Sequence, residues 1–238
     1  MKKMSFYARL GILVLLATAV IFTSCNKVND GDNNNAAVAG IMGFNMAPDQ
    51  EAIGITLNGN AISNIPLTYN SYTGMYVAVF AGNRQIRSYS ATTGAILAET
   101  NVVLDTNKYY SVYFLGTTGH YKHVFAEDKF DEMSGTNGKA YIRYIQAIPD
   151  SAVSHINISA GSTNWVDEDA AYSHISNFVA IDPGEITVGI NNGTNVDTTR
   201  SITVEEKKIY TILLMGQPDA DNPEKAVQIK FVANGTLP

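Results

Sequence analysis

The feature that most constrains this chain is an internal repeat. Displacing the sequence against itself by about one hundred residues lays KYYSVYFLG, Lys108 to Gly116, over KIYTILLMG, Lys208 to Gly216. Lysine, tyrosine and glycine coincide, and the other positions pair like with like. Upstream, NVVLDTN meets SITVEEK, with Val102 on Ile202 and Leu104 on Val204. Further back MAPDQ, from Met46, lies near AIPDS, from Ala147, so that Pro48 and Asp49 meet Pro149 and Asp150. The polar, glycine-containing SGTNG of Ser134 to Gly138 is where one copy gives way to the next. The chain therefore reads as tandem domains over residues 38–133 and 138–238, each with its own core and each expected to unfold by itself.

Each copy is β. MYVAVFA, QIRSYSA and YYSVYFL in the first, and HINISA, ITVGI, YTILLM and VQIKFVA in the second, are short, β-branched and aromatic. Turn formers such as NGN, TTG, DPG and NNG separate them. Long helical periodicity is absent. One segment, DEDAAYSH from Asp167 to His174, has room for a helical turn, with a loop as the equal alternative. The repeated tyrosine carries a spacing argument about the type of sandwich. In immunoglobulin-like sandwiches a tyrosine near the start of the sixth strand sends its hydroxyl back across the preceding corner, and the residue two further on is buried. Leu104, Tyr110 and Val112 keep the same intervals as Val204, Tyr210 and Ile212. Strand alternation then places Tyr110, Val112 and Phe114 in one core and Tyr210, Ile212 and Leu214 in the other. The expected fold class is all-β: two tandem immunoglobulin-like β-sandwich domains after a signal peptide and flexible linker.

An opening strand that runs into a Pro-Asp turn, FNMAPD and IQAIPD, is followed in each copy by a late strand reading Lys, any residue, Tyr and a hydrophobic run ending in Gly. That combination resembles DUF4397, a family of bacterial extracellular domains of unknown function found in tandem in Bacteroidetes-type lipoproteins. The resemblance covers nearly all of the chain beyond its first residues. It implies a β-sandwich, an exported location and no established activity.

The N-terminal residues agree with export. Lys2, Lys3 and Arg9 precede an apolar run from Leu10 to Phe22, shorter than the roughly twenty residues that span a bilayer as a helix. Thr23 and Ser24 follow, and then the only cysteine, Cys25. A signal ending in small residues and Cys resembles the lipobox of bacterial lipoproteins, in which the thiol is acylated and the Cys becomes the new N-terminus. Residues 1–24 are therefore expected to be a lipoprotein signal peptide, Cys25 the lipidation site, and residues 25–37, rich in Asn, Asp and Gly, a flexible tether. A single acyl chain binds a membrane only reversibly, whereas two or more anchor it. The expected location is the cell envelope, as an outer membrane lipoprotein, with the membrane as a partner through Cys25. The lone thiol leaves no internal disulfide, so stability must come from burial. Without Lys2, Lys3 and Arg9 the formal charge of −6 becomes more negative still and no basic run remains, which argues against nucleic acid as a partner.

No reactive constellation stands out. Cys25 is taken by the anchor, and no Gly-x-Ser-x-Gly elbow occurs. His120 and His123 are the only close histidine pair, but residues three apart on a strand face opposite ways, so a shared metal would need a turn there. His155 and His174 lack a partner at a recognised spacing. Asp167, Glu168 and Asp169, or Asp219, Asp221 and Glu224, could offer carboxylates to calcium, but neither stretch carries the Gly and terminal Glu of a known loop. Carbohydrate binding would use exposed rings, for which Tyr69, Tyr72, Tyr76 and the sole tryptophan, Trp165, are the candidates. No catalytic, cofactor or metal residues are assigned. The expected function is a non-catalytic binding or scaffold module for a glycan or protein partner, with an envelope hydrolase and a pilus-like structural subunit as alternatives.

Overall fold

The computed structural model describes residues 36–150 and 152–238. The expected signal peptide, Cys25 and most of the tether lie outside the described residues. Beyond them the chain is all-β, in two sandwiches. The first is built from β1 (Val38–Asn45), β2 (Ala52–Leu57), β3 (Asn60–Ala61), β4 (Leu67–Thr68), β5 (Ser71–Tyr72), β6 (Val77–Phe80), β7 (Gly82–Ser90), β8 (Ile96–Leu104), β9 (Tyr109–Leu115) and β10 (Lys122–Glu127). The second uses β11 (Ala140–Gln146), β12 (Ser154–Ala160), β13 (Thr163–Ala170), β14 (Val179–Ile181), β15 (Gly184–Asn191), β16 (Asp197–Val204), β17 (Lys208–Met215) and β18 (Gln228–Thr236).

Both copies share one topology. One sheet runs β10-β9-β1-β5, with β6 also on β1, and its counterpart runs β14-β11-β17-β18. The other sheet runs β3-β2-β7-β8, with β4 on β2, and its counterpart β13-β12-β15-β16. The tyrosine corner is present twice: the amide of Asp105 donates to the Tyr110 hydroxyl at 3.0 Å, and that of Glu205 to the Tyr210 hydroxyl at 3.2 Å. Tyr110, Val112 and Phe114 lie in the first core and Tyr210, Ile212 and Leu214 in the second, as strand alternation requires. Strand order differs from that of an immunoglobulin constant domain, because β1 pairs in parallel with β9 and β11 with β17. This pairing brings the two repeated motifs side by side. The Met46 amide donates to the Phe114 carbonyl at 2.9 Å, and the Ala147 amide to that of Leu214 at 2.8 Å.

One expectation meets a different outcome. Residues Thr163–Ala170 form a strand, so the acidic run at Asp167 is neither helix nor loop, and the turn begins only at Ala171. Val166 and Ala170 point into the core, and their spacing sets the run in extended register against β12. Each sandwich has its own core, and a further contact links the two. β9, β11 and β17 are buried almost end to end, on both faces. Their outward residues meet those of β1 in a third core, where Met42, Phe44 and Tyr113 of the first sandwich pack with Ile145, Leu213 and Met215 of the second. At about 1.5–3 kcal/mol for each large apolar side chain buried, this seam joins the halves into one body. The connector is pinned as well: the Tyr141 hydroxyl accepts from the Ser134 amide at 3.0 Å and from the Asn137 side-chain amide at 2.9 Å.

Candidate functional site

The repeated Pro-Asp motif is structural in both copies. An amide side chain two residues before the middle of the turn satisfies it from within: Asn45 Oδ1 accepts from the Ala47 amide at 3.2 Å, and Gln146 Oε1 from the Ile148 amide at 2.9 Å. The aspartates then tie down neighbouring loops. Asp49 Oδ2 accepts from Thr118 Oγ1 and the Tyr121 hydroxyl, each at 2.7 Å, and Asp150 Oδ2 accepts from Asn192 Nδ2 at 2.9 Å.

The other candidates separate on the same grounds. His123 bridges two hydroxyls, Ser88 Oγ at 2.8 Å and Thr100 Oγ1 at 3.0 Å, and burial lowers its pKa to about 4, so it stands as a neutral imidazole turned away from any partnership with His120. His155 sits between Asp167 at 2.8 Å and Asp169 at 3.0 Å on an exposed face, and hydrogen bonds donated to the Asp169 and Asp167 carboxylates raise its pKa. Glu168 faces the other way. Its Oε1 accepts from the buried Tyr144 hydroxyl at 2.7 Å. The acids at 167–169 are thus divided between two faces, and Asp219 of the second acidic run accepts from Asn195 Nδ2 at 3.1 Å. Among the described residues no group of three or more His, Cys, Asp or Glu side chains is placed to hold a metal ion.

The aromatic candidates divide in a similar way. Tyr69, Tyr72 and Tyr76 pack against the seam, with Tyr72 stacked on Phe44 at 5.4 Å, so their rings are committed to the fold. Trp165 is not. It lines a groove of about 460 Å³ between β13 and the segment leading into β14, together with Asp167, Glu168, His174, Ser176 and Asn177. The groove thus sets a half-buried indole beside two carboxylates, an imidazole, an amide and a hydroxyl, an apolar face bordered by polar groups. In the first sandwich a groove of about 450 Å³ is lined by Leu57, Ile62, Val77, Val79 and Phe80 together with Asn58, Asn60 and Arg84, with no tryptophan among them.

The model of a domain of unknown function, DUF4397, matches residues 39–153 and 140–230. The chain belongs to the DUF4397 family. The two matches overlap on β11, the strand that opens the second copy of the DUF4397 motif. No curated protein matches the chain. Among solved structures, it is similar to a family CBM26 module, CBMbc from Eubacterium rectale Amy13K, crystallised with maltoheptaose. Identity is 10%, the match covers 81% of this chain and 96% of that one, and the TM-score is 0.25, too low to bear on the site or its ligand.

One feature of this DUF4397 chain escaped the sequence reading. Arg143 is buried in the seam, ion-paired with the equally buried Asp128. Its Nε donates to Thr211 Oγ1 at 3.1 Å, and its Nη2 to Ser111 Oγ at 3.1 Å and to the Tyr113 hydroxyl at 3.0 Å. The Tyr76 hydroxyl donates to Asp128 Oδ2 at 2.6 Å, and Ser111 Oγ donates to the same oxygen at 2.9 Å. Burial pushes the Asp128 carboxyl up, and the Arg143 charge pulls it back down. The signal was a lone charge inside the apolar run AYIRYIQ.

Proposed function

We propose that this DUF4397 chain is a non-catalytic binding module of the cell envelope, held to the outer membrane by an acylated Cys25, and that its Trp165 groove takes an uncharged glycan. The observation that carries the ligand is the groove itself: it holds the only tryptophan of the chain, and Asp167, Glu168 and Asn177 share its lining. Glu168 is the best-placed acceptor for a sugar hydroxyl, since the Tyr144 hydroxyl holds it in one orientation. Two sandwiches joined by a packed seam give that groove a rigid frame, which lowers the entropy lost on binding.

Titration of the chain against a panel of neutral glycans, with Trp165→Ala alongside, tests the reading. Loss of the indole should cost about 2 kcal/mol, roughly thirtyfold in Kd. Equal binding by wild type and variant would remove the groove from consideration, and turnover of a glycan would favour the hydrolase alternative. For the anchor, Cys25→Ser should abolish metabolic labelling with a radioactive fatty acid and leave unprocessed precursor. Labelled and cleaved variant protein would refute it.

A further inference from the structure

The segment from His174 to Val179 has a cavity on each side. One is the Trp165 groove. The other, of about 420 Å³, lies in the seam and is lined by Glu127, Lys129, Glu132, Met133, Tyr141, Arg143 and Phe178. Ile175, Ser176 and Asn177 line both. Arg143 is 3% exposed, and its Nε and Nη2 are fully used, yet its Nη1 makes no hydrogen bond among the described residues. Phe178 covers the guanidinium face at 4.4 Å, so an incoming group must approach Nη1 edge-on, as a single acceptor. A bidentate carboxylate or phosphate would need the Nη2 edge that Asp128, Ser111 and Tyr113 occupy. Charge argues the same way. Asp128 neutralises Arg143, and Lys129 at the rim is paired with Glu132 at 3.1 Å, with Glu127 close by, so an anion gains no net attraction. What fits is an uncharged group with an oxygen acceptor for Nη1, hydroxyl donors for the rim carboxylates and an apolar face for Met133 and Tyr141.

We infer that the ligand is an extended, uncharged oligosaccharide that stacks one ring on Trp165, crosses the Ser176–Asn177 edge and seats another ring in the seam cavity. This inference rests on the glycan reading of the Trp165 groove and adds to it a chain length and a second subsite. The full chain is titrated with glucose and with malto- and cello-oligosaccharides of increasing length, while the Arg143 Nε–H resonance is followed by NMR. Affinity should rise with length in one series, and only the longer sugars should move the Arg143 resonance. Glu132 is exposed, and Glu132→Ala removes a rim acceptor at little structural cost, since exposed ion pairs contribute little. That variant should weaken the long sugars about three- to tenfold, the worth of one hydrogen bond, and leave glucose unchanged. Length-independent binding that is lost in Trp165→Ala and silent at Arg143 would overturn the second subsite and leave the groove standing. No binding by any probe would overturn both.

Discussion

Asp128→Ala is expected to lower the unfolding free energy by about 3–5 kcal/mol, because it leaves Arg143 charged and uncompensated in the seam. Arginine cannot discharge itself at any ordinary pH. Its remaining partners, Thr211, Ser111 and Tyr113, are neutral hydroxyls, and the Tyr76 and Ser111 hydroxyls each lose the acceptor they donate to, which adds to the loss. The effect should reach both halves, since Asp128 and its partner Ser111 come from the first sandwich and Arg143 and its partner Thr211 from the second. Chemical denaturation with hydrogen exchange read separately on β12 and β7 checks it, and one shared transition is the expected result. A double variant, Asp128→Leu with Arg143→Met, should recover most of the loss, because an apolar replacement of a buried pair is often neutral or better. Loss of the first sandwich alone, with β12 still protected, would show that the seam does not couple them.

Gly116→Ala and Gly216→Ala should each cost about 3–5 kcal/mol, from backbone strain and overpacking together. These are the glycines that close the repeated motif, and both hold a left-handed backbone, with φ of +125° and +109°. A methyl on Gly116 would fall on the His120 carbonyl, and one on Gly216 on the carbonyl of Ala226, well inside van der Waals contact. Main chain lies opposite in both cases, so no rotamer change relieves the clash. Gly193 is the control: its φ is +74° but its Cβ position is open, so Gly193→Ala should lose only about 1 kcal/mol. Thermal or denaturant melts of the three variants rank them. Equal, small losses would mean that the strand ends at Gly116 and Gly216 yield without cost.

Much of this architecture was legible because it depends on local periodicity and on repetition. Alternation by two assigned Tyr110, Val112 and Phe114, and their counterparts Tyr210, Ile212 and Leu214, to the cores they occupy. The interval from Leu104 to Tyr110 was enough to expect the corner bond that the Asp105 amide makes. The site was legible only in its inventory, with Trp165 named among four aromatic candidates. Strand periodicity says which residues share a face, but not which of two apolar faces meets solvent, ligand or a second sheet. Hence Tyr69, Tyr72 and Tyr76 looked as available as Trp165 until the seam claimed them. The acidic run at 167–169 was ambiguous for a related reason: three like residues have no period, and only pairing with β12 divided Asp167 and Asp169 from Glu168. The sequence by itself determined the two-fold repeat, the all-β class, the family and the motif residues, since each follows from short-range spacing along the chain. Tertiary structure alone decided the parallel pairing of β1 with β9, the seam around Arg143 and Asp128, and the groove at Trp165, because these depend on contacts between strands far apart in the chain, whose partners no local pattern specifies.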